Sequence, residues 1–138
     1  MGFLDDLFDP KPEFVKPIVA KINSYLSGMN PDVVSRIRSD AIFYAEKKSN
    51  WDKVSEQMRS GKDSEYFALL FVSLATRDVI RSGEFHIYAG IVSAEGMAAC
   101  GIFCDCVDRL VALRQMSRDV AENAKAEVKA MLNDIGIG

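Results

Sequence analysis

Apolar side chains recur along this chain every three or four residues, and the recurrence stops and restarts at a few short breaks. From Phe14, the residues Val15, Ile18, Ile22, Tyr25 and Leu26 fall on one stripe of a helix. Pro17 limits where that helix can begin, and Gly28 can enter the left-handed conformation that ends it. Asn30 and Pro31 open a second helix, the first offering a capping oxygen and the second a preset φ. Val34, Ile37, Ala41, Tyr44 and Ala45 form its apolar face, and Lys47 and Lys48 stand where the helix dipole favours cations.

Ser49, with Asp52 three residues on, has the form of an acidic capping box and predicts a short helix over 51–59 that Gly61 ends. The run from Ser64 to Ser82 is apolar on most sides between Tyr66 and Ala75, which places its helix at the centre of the molecule. Gly83 is the expected terminator. The passage that follows is the least helical. Glycines at 83, 90 and 96, and a brief alternation of Phe85 and Ile87 against His86 and Tyr88, predict an irregular segment or short hairpin near 84–93. Ser93 is the expected cap of a helix over about 94–116. Ser117 caps the last one, whose stripe of Val120, Ala121, Ala124, Val128, Met131, Leu132 and Ile135 runs up to Gly136. These two are expected to form an antiparallel hairpin. The fold class expected is therefore all-α: a compact bundle of about five main helices plus one or two short ones, in a single domain spanning 1–138.

Residues 1–12 read as an appendage to that domain. Phe3, Leu4, Leu7 and Phe8 lie at helical spacing before Pro10 and Pro12, and Asp5, Asp6 and Asp9 give the other face an acidic character. Anionic lipid repels such a face, so the segment is expected to dock on its own core or on a partner rather than on a membrane.

Charge changes the picture only locally. The net charge is -3, and Asp5, Asp6, Asp9 and Glu13 against Lys11 account for all of it. From Phe14 onward the charges balance, without the clustered Lys and Arg that phosphate backbones require, so no nucleic-acid partner is expected. Hydrophobic residues at 49% and charged residues at 27% suit a chain that folds alone. No membrane span and no secretory leader are expected. Cys100, Cys104 and Cys106, an odd number in one short stretch, fit a reducing cytoplasm better than a disulfide framework.

The same cysteines are the first candidates for metal chemistry. On a helix Cys100 and Cys104 share a face while Cys106 points away, the spacing is not C-x-x-C, and His86 is the only histidine. Packing as small apolar side chains beside Ile102, Phe103, Val107 and Leu110 is the favoured role, and no metal or other cofactor is expected. His86 is the natural acid or base near neutral pH, with Glu84, Tyr88 and Glu95 close in sequence. Yet no second catalytic group is fixed by the chain. No G-x-S-x-G occurs, Gly61-Lys62 lacks the rest of a phosphate loop, and one histidine cannot furnish the paired Glu-x-x-His of a di-iron bundle.

Two polar surfaces are further candidates. Asp105 and Asp108 share the polar face of the fifth main helix with Gln115, beside Arg109, and read either as a solvated face or as an acidic contact for a basic partner. Trp51 opens the short helix and either staples it or serves as an interface anchor. The function expected is non-catalytic: a cytoplasmic helical protein binding a protein partner or a second copy of itself, of adaptor, regulatory or toxin-neutralising immunity type. The contacts expected are Asp5, Asp6, Asp9, Trp51, Asp105 and Asp108. The rival is a small-molecule or enzymatic site built from His86, Glu84, Tyr88 and Glu95.

Overall fold

The structure is a computed structural model that describes residues 11–82 and 94–132. Six α-helices account for nearly all of them: α1 (Val15–Leu26), α2 (Pro31–Glu46), α3 (Trp51–Arg59), α4 (Ser64–Ser82), α5 (Ala94–Ala112) and α6 (Arg118–Leu132), with a 3₁₀ turn over Lys48–Asn50. No strand occurs among the described residues, and the all-α bundle expected from periodicity is the fold observed. The segment near 84–93 lies outside the described residues.

Most boundaries follow from local chemistry. Gly28 sits at φ +82° just after α1, and α2 begins at Pro31 with the amides of Val33 and Val34 donating to the Asn30 carbonyl at 3.0 and 3.1 Å. Gly61, at φ +115°, closes α3: its own amide donates to the Met58 carbonyl and that of Lys62 to the Gln57 carbonyl. Asp63 caps α4 by accepting the Tyr66 amide at Oδ1, 2.9 Å away, and Ser117 Oγ caps α6 by accepting the Val120 amide at 3.2 Å.

One cap and one boundary differ from expectation. Ser49 does not cap α3, because it lies inside the 3₁₀ turn. Asn50 precedes the helix without a side-chain cap and instead donates from Nδ2 to the Tyr44 carbonyl at 3.0 Å, satisfying an orphan acceptor in the last turn of α2. α5 stops at Ala112, not near Met116. There Arg114 takes φ +61°, while the Gln115 amide reaches back to the Leu110 carbonyl and its own to that of Val111, both at 2.9 Å.

α4 is the central element, packing against α1, α2, α5 and α6. Its buried side chains, among them Phe67, Leu69, Phe71, Val72, Ala75, Val79 and Ile80, point in most directions around the axis. The hydroxyls that travel with them are satisfied within the helix, Ser73 donating to the Leu70 carbonyl at 2.7 Å and Thr76 to that of Val72 at 2.6 Å. Around α4, Ile18, Ile22 and Leu26 of α1, Val34, Ile37 and Ala41 of α2, and Ile102, Phe103, Val107 and Leu110 of α5 complete one core. α6 contributes Ala121 and Val128, whereas Val120, expected in its buried stripe, is 54% exposed.

α5 and α6 pack on each other across the short connection 113–117. Asp108 faces Lys125 and Ala112 neighbours Ala121, so the two run antiparallel, as expected. No described helix is long and apolar enough to cross a membrane.

Candidate functional site

An apolar concavity lies where the end of α2, the 3₁₀ turn, α3 and the first half of α4 meet. It measures about 380 Å³ and its floor is a row of aromatic rings. Tyr66 meets Phe67 edge-on with centroids 5.0 Å apart, Phe67 lies 6.0 Å from Phe71, and Phe71 stacks on Tyr44 at 6.0 Å with the planes 19° apart. Leu70 and Leu74, both half-buried, add apolar wall from α4, and Val54 adds it from α3. At the end of the row Phe43 is 60% exposed and edge-on to Tyr44, so the aromatic surface continues out of the groove onto the outer face of α2.

The rim is polar and of one sign. Lys47, Asn50, Lys53 and Gln57 line it, and no carboxylate does among the described residues. Lys47 Nζ sits 5.6 Å from the centre of the Phe43 ring, and Lys62 Nζ lies 4.6 Å from that of Tyr66. The Tyr44 hydroxyl donates to Asp78 Oδ2, and that bond, with burial second, raises its pKa to about 12. Tyr44 is thus a fixed neutral donor and not a base. Such a groove can bury apolar side chains and attract negative charge at its edge, and among the described residues that line it there is no thiol, no carboxylate and no histidine.

The residues singled out from the sequence are placed differently. Asp5, Asp6 and Asp9, and also Glu84, His86 and Tyr88, lie outside the described residues, while Glu95 belongs to the first turn of α5. Trp51, the first residue of α3, is half-buried, and its indole Nε1 is enclosed without a hydrogen-bond partner among the described residues. Asp105 and Asp108 are both exposed, and both are ion-paired. Asp105 Oδ2 accepts from the Tyr25 hydroxyl at 2.5 Å and from Arg109 Nε at 2.9 Å, tying α5 to α1, while Asp108 accepts from Lys125 Nζ at 2.8 Å, tying α5 to α6. Gln115, on the same side, accepts from Lys62 Nζ. Burial pushes the Asp105 carboxyl up, but the Tyr25 and Arg109 donors outweigh it and hold the group below its ordinary value.

The cysteines divide as their helical positions require. Cys106 is fully buried in the core beside Val107 and Leu110, and burial raises its thiol to about 12. Cys100 and Cys104 are half-buried neighbours, and burial, reinforced by Cys104, raises Cys100 to about 11. Among the described residues, no group of three or more His, Cys, Asp or Glu is placed to hold a metal ion.

No family model, curated protein or solved structure matches this chain. The groove therefore has to be interpreted from its own chemistry. Sequence reasoning named Tyr44, Trp51 and Tyr66 as aromatics but did not join them. The signal that could have done so is the spacing of Tyr66, Leu70 and Leu74, one stripe of α4 with the last two apolar, beside which Val54 and Gln57 of α3 lie.

Proposed function

We propose that this chain is a non-catalytic helical binding protein whose groove between α2, α3 and α4 holds an acidic, apolar segment of a protein partner. The observation that carries this reading is the pairing of an aromatic floor with a rim whose charged members are two lysines and no carboxylate. Aromatic-lined grooves of this kind take amphipathic helices through apolar side chains spaced one turn apart, and charge at the edge selects partners and speeds their arrival. Adaptor, regulatory and toxin-neutralising roles would all use such a contact. The three unpaired thiols fit a reducing cytoplasm as the place where it is made.

The test is selection from a displayed library of amphipathic peptides against the full chain, followed by measured affinities. Acidic peptides with apolar residues at helical spacing should be enriched. Reversing both rim charges in Lys47→Glu with Lys53→Glu should weaken them about fivefold to tenfold, and Leu74→Ala by a similar factor. Enrichment without acidic bias, or binding indifferent to all three substitutions, would remove the groove from consideration.

A further inference from the structure

Three sulfur-bearing side chains share one stripe of α5, and none of them lines the aromatic groove. Met97, Cys100 and Cys104 stand at i, i+3 and i+7, which at about 100° per residue places them within an arc of about 60°. Cys100 and Cys104 are half-buried, and their thiols share a hydrogen bond. Cys106, two residues on, is turned into the core and keeps the packing role expected of it. Met97 is 65% exposed, more than any other large apolar side chain described, so burial does not account for its place beside the two thiols. Its three rotatable bonds let the thioether cover the roughly 4.5 Å of helix rise that separates it from Cys100.

Geometry and softness together select what this trio can hold. A disulfide needs β-carbons about 3.5–4.5 Å apart, whereas side chains one helical turn apart hold theirs about 5–6 Å apart, so the intact helix opposes direct bonding of Cys100 to Cys104. A metal ion bridges a wider gap, because two metal–thiolate bonds of about 2.3 Å each span up to about 4.6 Å between the sulfurs. Zinc sites and iron–sulfur clusters require further cysteine, histidine or carboxylate ligands, and none joins this pair among the described residues. Thiolate and thioether sulfurs are soft donors, the kind that suits copper(I). Charge points the same way: two thiolates around a monovalent ion leave one net negative charge, and Lys129 of α6 lies near enough to Cys100 to favour its thiolate. We propose that Met97, Cys100 and Cys104 bind one copper(I) ion through their three sulfurs. On binding, both sulfur–hydrogen bonds break, two copper–thiolate bonds form and two protons pass to solvent. The Met97 thioether joins as a neutral third donor, and the copper stays monovalent throughout.

Anaerobic titration of the full-length protein with copper(I) held by the coloured chelator bicinchoninate tests the site. The protein should withdraw one equivalent from the chelator, and excess zinc(II) should not displace it. Cys100→Ser and Cys104→Ser should each weaken binding by about a hundredfold, and Met97→Leu by about tenfold. Met97 is exposed, so its exchange for leucine leaves the fold untouched and separates loss of a donor from loss of structure. Cys106→Ala should bind copper(I) as the parent does, and far-ultraviolet circular dichroism shows which variants have folded. X-ray absorption at the copper edge of the loaded protein should show a shell of sulfur alone, with one sulfur fewer in Met97→Leu. Several outcomes would each overturn the proposal: no copper withdrawn, more than one equivalent bound, affinity indifferent to either serine or to Met97→Leu, nitrogen or oxygen in the shell, or binding lost in a folded Cys106→Ala protein.

Discussion

Arg114 is the one described residue other than glycine with positive φ, +61°, and its position makes the cost testable. It follows α5 at the point where the chain reverses, with the Gln115 and Arg114 amides closing the helix end at 2.9 Å each. A side chain in the left-handed region costs about 1–2 kcal/mol relative to glycine in the folded state. Glycine gives back about 0.5–1 kcal/mol through its greater freedom in the unfolded chain. Arg114→Gly should therefore stabilise the protein by roughly 0.5–1 kcal/mol. Arg114→Ala keeps the β-carbon and should change stability by less than about 0.5 kcal/mol. Urea unfolding followed by circular dichroism at 222 nm reads both. At a slope of about 2 kcal/mol/M, the glycine variant's midpoint rises by roughly 0.3–0.5 M with the slope unchanged. A glycine variant no more stable than the alanine variant would refute the assignment of strain to this backbone position.

Other outcomes follow from the same structure. Tyr25→Phe removes the hydroxyl that Asp105 accepts and should cost about 1 kcal/mol near neutral pH. Because the folded Asp105 carboxyl titrates below its unfolded value, that contribution is complete above about pH 4 and is lost as pH falls through the lower folded value. The stability gap between parent and variant should then narrow in acid, and a gap unchanged down to about pH 2 would contradict the linkage. Thiol labelling near pH 8 should leave Cys106 unmodified until the protein unfolds, since it is fully buried and its thiol is raised to about 12. Modification of Cys106 faster than global unfolding would show that α5 is not seated as described. Val128→Ala should cost about 1–3 kcal/mol, whereas Val120→Ala should stay within about 0.5 kcal/mol, and equal costs in thermal unfolding would place α6 wrongly.

The helices were legible because their causes are local. Apolar spacing, Pro31, Gly28, Gly61 and Ser117 each act within a turn or two of where they stand. The missed cap of α3 and the misplaced end of α5 have other causes. Asn50 serves the end of α2 rather than the start of α3, and the end of α5 is set by an arginine in a conformation glycine would be expected to fill. The partners of the exposed Asp105 and Asp108 were not legible in sequence because Tyr25 lies 80 positions from Asp105, and Lys125 17 from Asp108. The groove was hidden for a related reason. Periodicity marked α4 as apolar nearly all round, but which part of it the nine residues of α3 leave uncovered depends on packing across elements.

The central placement of α4 also bears on how the molecule is made. As the chain leaves the ribosome, α1, α2 and α3 emerge first, and the surface that buries their stripes is not complete until residue 82 is out. Until then the nascent protein carries Ile18, Ile22, Leu26, Val34 and Ile37 without their main counterpart. During that interval those side chains are open to non-native contacts with neighbouring chains, and faster emergence of α4 shortens it.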